Sequence, residues 1–310
     1  MDQYDIAIVG GGGAGLTAAI YAARSRRRTV VFERLMTGGQ IATTDVVENF
    51  PGFPDGVNGF DLAQLFIKQA EKFGAEVRYE AVTGLTVEPN GQFTLAADSG
   101  ELRARAVVVT AGADYTRLGV PGEEEFTGHG VSYCGTCDGA FFQGQEVAVI
   151  GGGDSALDEG LFVARYANRV HVIHRRDKLR ASALLQERAH ANPKFAFTLG
   201  TVVERISGNG QVERLDLKNL KTGEQTTLPV SGVFIFIGQE PNNELLRGLV
   251  DFDEGGHAMV DLQMRTKVPG LFVAGDIRTQ SARQLIAACG DGATAAIAAE
   301  HYLTARDGAG

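Results

Sequence analysis

A seven-residue pattern occurs twice in this chain. Ile6-Ala7-Ile8-Val9-Gly10-Gly11-Gly12 returns 141 positions later as Val147-Ala148-Val149-Ile150-Gly151-Gly152-Gly153. Each copy is a short apolar stretch running into glycines, which predicts a strand buried on both faces. A helix-like segment follows each copy (residues 14–27 and 155–167), and then a second strand-like run (29–32 and 169–174). Strand–helix–strand, twice over, predicts parallel sheet with right-handed crossovers.

A chain of 310 residues accommodates two ordinary domains, since single cores stop growing at about 250–300 residues. At 44% hydrophobic and 22% charged it can bury a sizeable core and is not a disordered chain. Further strand-like runs at 92–97, 102–110, 202–206, 214–219 and 233–237 predict smaller antiparallel additions to the two repeats. Two glycine- and proline-marked stretches, 111–122 and 238–242, bracket the second repeat and read as hinges. The expected fold is therefore α/β, with two Rossmann-like, three-layer ββα domains, one inserted in the other. Residues 1–112 and 243–310 form the split domain and residues 113–242 the insert.

Glycine stands out, at 41 residues or about 13% of the chain against a usual ~7%. Gly10-x-Gly12-x-x-Gly15 follows a strand, opens a helix around Ala14, and has Glu33 at the end of the next strand. In a dinucleotide site the first glycine makes a tight turn, and the second lets a pyrophosphate reach the positive end of the helix. The third allows close helix–strand packing, and the acid accepts from a ribose hydroxyl. The second repeat has Gly151-x-Gly153-x-x-Ala156, but the count that reaches Glu33 in the first repeat reaches His174 here, with Arg175 and Arg176 following. A carboxylate at that place would repel a 2′-phosphate, whereas Arg175, Arg176 and Arg180 offer it charge-assisted bonds. NADPH is accordingly expected at the second site in preference to NADH.

Cys134-Gly135-Thr136-Cys137 stands just before the second repeat, with Asp138 adjoining. Two residues between thiols permit a small reversible disulfide, and one thiol of such a pair commonly has a lowered pKa. Zinc would need a second ligand pair, yet the one remaining cysteine is Cys289, and His129 has no companion nearby. An inert pair is the other alternative. A flavin would connect the two chemistries, because it takes a hydride from NADPH and passes electrons on to a disulfide.

Taken together, these motifs resemble the low-molecular-weight thioredoxin reductases within the FAD- and NADPH-dependent pyridine nucleotide-disulphide oxidoreductases. The likeness runs essentially the whole length. It rests on Gly10 to Gly15, Gly38-Gly39-Gln40, Thr43-Thr44, Glu48-Asn49-Phe50-Pro51-Gly52 and Cys134-Gly135-Thr136-Cys137-Asp138-Gly139. It continues through Gly151-Gly152-Gly153-Asp154-Ser155-Ala156, His174-Arg175-Arg176-Asp177 with Arg180, Gly275-Asp276 and Arg283-Gln284. The resemblance implies FAD in the split domain, NADPH in the insert and a homodimer. It places Gly10, Gly12, Ala14, Gly15, Glu33, Gly39, Gln40, Thr44, Asn49, Gly112, Asp276, Arg283 and Gln284 at the FAD. It places Gly151, Gly153, Asp154, Ser155, His174, Arg175, Arg176 and Arg180 at the NADPH. It implies that Cys137 faces the flavin, Cys134 attacks a thioredoxin disulfide and Asp138 moves protons, with the insert rotating on its hinges. A reductase of another thiol-disulfide protein, or a dithiol oxidase, is the alternative.

The chain departs from the family pattern at Ala140, which precedes Phe141-Phe142, and at His129, where a fuller positive charge is usual. The Phe pair reads equally as core or as a partner platform. Asp158-Glu159, His257 and His301 read as surface residues, Asp251-Phe252-Asp253-Glu254 as a solvated loop, and Cys289 as a buried structural thiol. A net charge of −9 argues against general nucleic-acid binding. With three cysteines and no leader-like or membrane-spanning stretch, a soluble cytoplasmic protein is expected.

Overall fold

The computed structural model describes residues 2–34, 36–44, 46–47 and 49–308. The chain falls into two compact units, one made of Met1–Asp114 with Glu240–Gly310 and the other of Tyr115–Gln239.

In the first unit, strands lie in the order Glu76–Arg78, Thr29–Phe32, Gln3–Val9, Gly100–Val109, Phe93–Ala97, Val82–Val87, with Leu271–Val273 also paired to Gly100–Val109. The central strands are parallel, and Ile6, Ala7, Ile8, Val107 and Val108 are fully buried. Continuous apolar sequence needs cover on both faces, and helices supply it on one. Helices Gly13–Arg24 and Leu285–Asp307 meet through Ala18, Ala19, Ala22 and Ala23 on one and Ala295, Ala296, Ala298 and Ala299 on the other. Each buried methyl contributes about 0.8 kcal/mol, and the small side chains let the two backbones approach. At Gly292 the approach is so close that a Cβ would lie 2.0 Å from the Ala14 carbonyl oxygen.

The second unit repeats the plan. Strands Phe195–Leu199, Arg169–His174, Glu146–Ile150, Gly232–Ile235 and Val131–Ser132 make one parallel sheet, in that order. Strands Thr201–Gly208, Val212–Asn219 and Gln225–Pro229 form a separate antiparallel sheet. Val203, Ile206, Val212, Leu215 and Leu217 on that sheet join one apolar cluster with Ala148, Ile150 and Ile235. The two repeats share a register: Ile6 pairs with Thr29 and Val147 with Val170, so both link residues 23 apart.

Two sequence expectations need correction. The run at 233–237 forms strand Gly232–Ile235, which lies inside the parallel sheet beside Glu146–Ile150 rather than in an antiparallel addition. The run at 102–110 is antiparallel to Phe93–Ala97 on one side but parallel to Gln3–Val9 on the other. The reason is the same in both: Val233, Phe234 and Ile235, like Ala106 to Val109, are buried in succession, which suits a strand covered on both faces.

Candidate active site

The first glycine turn is shaped by close contacts. Gly10 has φ +111°, and a Cβ there would lie 2.4 Å from the Thr110 carbonyl oxygen. At Gly15 a Cβ would lie 1.8 Å from the Gly10 carbonyl oxygen, so helix and strand pack at a distance that only glycine allows. Gly12 differs, because a Cβ there would meet nothing within 4 Å. It precedes helix Gly13–Arg24, whose first turn holds no acid and whose N-cap makes no side-chain hydrogen bond. Open space in front of uncapped N–H groups is what a pyrophosphate requires.

Glu33 follows strand Thr29–Phe32, and its Oε2 accepts the Gly11 N–H at 2.9 Å, which fixes the carboxylate at the turn. Some further predicted segments of this unit lie against the same loop, and others are tied to one another. The Gly38 N–H donates to the Gly11 carbonyl at 2.7 Å, a Cβ on Gly39 would lie 3.5 Å from Gly12 Cα, and one on Gly275 would lie 3.1 Å from Ala14 Cβ. Gln40 donates to the Ala113 carbonyl at 2.6 Å beside Gly112, which has φ +68° and whose carbonyl accepts from Asn242. The Thr44 hydroxyl donates back to the Gln40 carbonyl at 3.1 Å. Asn49 Nδ2 donates to Gln284 Oε1 at 3.1 Å, joining two predicted residues 235 positions apart. Glu48 lies outside the described residues. Asp276 accepts from the Ser281 hydroxyl at 2.7 Å, and burial pushes its carboxyl above the usual range against that bond. Arg283 follows with φ +55° and leads into the helix that begins at Leu285.

The second glycine turn has the same plan. Gly151 has φ +148°, and a Cβ there would lie 2.4 Å from the Phe236 carbonyl oxygen. Gly153 is open to 4 Å and precedes helix Asp154–Val163, again with no side-chain cap. Ala156 is fully buried, and Ser155 is exposed on the first turn. Asp154 accepts the Ser182 N–H at 2.6 Å, while the Arg180 N–H donates to the Gly152 carbonyl at 2.6 Å, so segment 180–182 is held against the turn. His174 stands where Glu33 stands in the first repeat, but its ring occupies the space a Gly152 Cβ would take, 2.5 Å away. Burial, with Arg180, Arg176 and Arg175 in support, holds its imidazole below the usual pKa. Its Nε2 is buried with no hydrogen-bond partner among the described residues. Arg175, Arg176 and Arg180 are exposed, and among the described residues none of them joins a salt bridge. A convergent, unneutralised cationic cluster at a phosphate-shaped turn fits a phosphorylated ribose.

Cys134 and Cys137 form a disulfide, with Cα atoms 5.3 Å apart, across the single turn Gly135–Asp138. The Cys137 N–H donates to Cys134 Sγ at 3.1 Å. Asp138 closes the turn, and its Oδ2 accepts the Ser132 hydroxyl at 2.6 Å. Burial raises the Asp138 carboxyl above its usual range while the Ser132 bond opposes the rise. An acid so poised holds a proton closer to neutrality than a solvated aspartate does.

Some residues behave otherwise than their sequence setting implied. Phe142 is 9% exposed and packs edge-on against Phe234 at 5.2 Å, whereas Phe141 is 50% exposed, so the pair divides between core and surface. Glu159 does not point into solvent: its Oε2 accepts the Thr136 N–H at 3.0 Å. His257 is largely buried, and Asp253 beside it accepts two backbone N–H groups. Cys289 is buried, which pushes its thiol up. Sequence reasoning missed two carboxylates altogether. Asp291, 7% exposed, takes Arg278 in a bidentate pair at 2.6 and 2.8 Å and the Gly275 N–H at 3.2 Å, which fastens the turn before Asp276 to the last helix. Glu123, 4% exposed, accepts from Leu118 N, Gly119 N and the Tyr133 hydroxyl. A buried acid in a loop announces itself only by being surrounded by apolar sequence, and Gly122-Glu123-Glu124-Glu125 reads as an exposed charge run.

Among the described residues no helix is long and apolar enough to cross a membrane, and no cluster of metal-ligating side chains occurs.

The pyridine nucleotide-disulphide oxidoreductase family model matches residues 4–292. The thioredoxin reductase of Bacillus subtilis is 44% identical over 97% of this chain and 95% of its own length. That of Streptomyces coelicolor is 45% identical over 98% of this chain and 95% of its own. Among solved structures, the thioredoxin reductase of Streptococcus pyogenes superposes with a TM-score of 0.93 at 41% identity, covering 98% of this chain and 99% of that one. With two glycine turns in one register and a disulfide between Cys134 and Cys137, the chain belongs to the pyridine nucleotide-disulphide oxidoreductases and, within them, to the thioredoxin reductase family.

Proposed function

We propose that this enzyme carries electrons from NADPH through FAD and the Cys134–Cys137 disulfide to oxidised thioredoxin. The observation that carries the reading is the disulfide-bonded pair with the desolvated carboxyl of Asp138 beside it, on a nucleotide-binding fold. Residues 1–112 with 243–310 are the FAD domain, and residues 113–242 are the NADPH domain. FAD, when bound, takes the hydride of NADPH and hands an electron pair to the disulfide.

At the FAD, Gly10, Gly12, Ala14 and Gly15 receive the pyrophosphate, and Glu33 takes the adenosine ribose. Asp276 holds the polar chain between phosphate and ring, while Gly39, Gln40, Thr44, Asn49, Gly112, Arg283 and Gln284 line the ring. At the NADPH, Gly151, Gly153, Asp154 and Ser155 form the phosphate turn. Arg175, Arg176 and Arg180 bind the 2′-phosphate, with His174 neutral beneath them.

Reduction of the Cys134–Cys137 disulfide by two electrons and two protons gives the dithiol, with Cys137 nearer the flavin. The Cys134 thiolate then attacks one sulfur of the thioredoxin disulfide. A mixed disulfide forms, and the other thioredoxin sulfur leaves, protonated by Asp138. Asp138, now a carboxylate, takes the Cys137 proton, and the Cys137 thiolate attacks Cys134 Sγ, which restores the disulfide and expels the second thioredoxin sulfur as a thiolate that takes up from solvent the proton Cys134 released on ionising. Phe141, exposed four residues after Cys137, and His129, also exposed, supply contact for the partner. One disulfide cannot touch flavin and partner at once, so the cycle includes rotation of residues 113–242. The working form is a cytoplasmic homodimer.

Anaerobic titration of the flavin-loaded protein with NADPH tests the reading. The flavin absorbance bleaches on NADPH addition and returns on adding oxidised thioredoxin. Bleaching without recovery would overturn thioredoxin as the substrate, and failure to bleach would overturn the NADPH-to-flavin step.

A further inference from the structure

Helix Asp154–Val163 does more than start at a phosphate turn. Its side facing the redox turn carries Glu159 and Val163, and both press on Gly135: a Cβ at that position would lie 2.6 Å from Glu159 Oε2 and 3.0 Å from Val163 Cγ2. Glu159 Oε2 accepts the Thr136 N–H at 3.0 Å. Thr136 is the residue between Gly135 and Cys137, so one carboxylate grips the backbone that separates the two sulfurs. Gly135 is small because that carboxylate lies against it.

Among the described residues, the charges on the turn and on the elements that flank it are few. Asp138 lies within it, engaged by Ser132. Glu159 comes from the helix packed against it, and Asp158 on the same helix is exposed. The 3-10 turn Gly139–Phe142 and the strand Val131–Ser132, which flank the turn, carry no charged residue. Tyr133 directs its hydroxyl away, to Glu123 at 2.7 Å. A negative charge fixed beside a thiol disfavours its thiolate. Its bond to the Thr136 N–H puts the Glu159 carboxylate against the backbone between Cys134 and Cys137, close enough for its charge to act on them.

We propose that Glu159 is a positioning residue of the redox centre, which holds the backbone between Cys134 and Cys137 and, through its charge, sets how readily Cys134 ionises. The inference rests on the reading of Cys134 as the attacking sulfur. It gives the helix two tasks, with the nucleotide turn at its first residues and the disulfide held from one turn further along.

The test separates charge from geometry. In a Cys137→Ser background the turn keeps one thiol, and buried Cys289 serves as an internal reference. The rate of iodoacetamide modification at Cys134 is followed by peptide mass in flavin-loaded protein from about pH 5 to about pH 10, spanning the thiol range. Glu159→Gln keeps an oxygen that accepts the Thr136 N–H but removes the charge. Its midpoint is expected about one pH unit lower than with Glu159. An unchanged or higher midpoint, in protein whose flavin absorbance is normal, overturns the electrostatic role. In the background with Cys137 intact, Glu159→Ala loses the backbone bond as well, and thioredoxin turnover should fall severalfold below that of Glu159→Gln. Equal turnover in the two variants overturns the backbone role. Alkylation needs no partner protein, so absence of thioredoxin reduction with a persisting midpoint shift would remove the proposed substrate and leave the role of Glu159 standing.

Discussion

The Ser132 hydroxyl donates to Asp138 Oδ2 at 2.6 Å, and Ser132 Oγ itself accepts the Cys134 N–H at 3.1 Å. One buried hydroxyl thus ties the acid to the first cysteine, from the end of strand Val131–Ser132. The bond favours the ionised carboxylate and opposes the effect of burial. Ser132→Ala should therefore raise the Asp138 carboxyl further and move the corresponding limb of the thioredoxin-turnover pH profile to higher pH. Loss of a hydrogen bond to a charged group, about 1.5 kcal/mol, corresponds to a displacement of that limb by about one pH unit. A pH profile that superposes on wild type would show that the hydroxyl does not act through Asp138.

Asp138→Asn should separate stability from activity. Burial raises the folded-state pKa of this carboxyl above its unfolded value, so the folded protein binds the proton more tightly. Stability from this group is then fully present below the unfolded pKa and is lost as pH rises through the folded pKa. The neutral asparagine escapes that loss. At about pH 7 the oxidised variant should melt higher than wild type, and near pH 3 the two should coincide. Thioredoxin turnover should fall about 100-fold or more, the size of a lost general acid. A variant that melts lower at both pH values would mean the carboxylate is held by contacts other than Ser132.

Gly12 and Gly15 make a paired test of the first glycine turn. A Cβ at Gly15 would collide with the Gly10 backbone at 1.8 Å, so Gly15→Ala should lower the melting temperature of the flavin-free protein. At Gly12 a Cβ meets no protein atom within 4 Å, so Gly12→Ala should fold normally. Any harm it does must come from the ligand. Flavin affinity, read from the absorbance ratio of flavin to protein on dilution, should fall at least about tenfold, equivalent to 1.4 kcal/mol. Full retention of flavin by Gly12→Ala would place the pyrophosphate elsewhere.

What could be read from the sequence was what repeats or what glycine alone permits. The two apolar runs and their glycines give two parallel units with a common 23-residue register, and Ile6–Thr29 and Val147–Val170 have it. Register is written in the sequence because each strand is buried on both faces and each turn has one conformation. The order of strands was less legible. Gly232–Ile235 is as apolar as Glu146–Ile150, and no local pattern tells a central parallel strand from a short antiparallel one. Least legible were polar contacts made across distance. Asp291 with Arg278, Glu123 with Tyr133, and Glu159 with Thr136 pair acids with groups 10 to 23 positions away in the chain. The sequence presents those acids as ordinary surface charges. Only the packing of a helix or loop makes them structural.

On the proposed reading, the arginines of the second turn decide which nucleotide is used. Arg175, Arg176 and Arg180 all act to lower the His174 pKa, so their charges converge on that position, and all three are exposed. A 2′-phosphate would be held by charge-assisted bonds, each worth about 1.5–3 kcal/mol, whereas a bare ribose hydroxyl gains little from them. Replacing Arg175 and Arg176 together by alanine should raise KM for NADPH by about 10- to 100-fold while leaving KM for NADH nearly unchanged. Single-turnover reduction of the bound flavin by each nucleotide, in wild type and in the double variant, measures this without involving thioredoxin. The folded state is not at risk, because both side chains are exposed and, among the described residues, neither forms an ion pair. If wild type reduces equally fast with both nucleotides, or if the double variant loses NADH and NADPH alike, the cluster does not read the 2′-phosphate and the choice between nucleotides lies outside this turn.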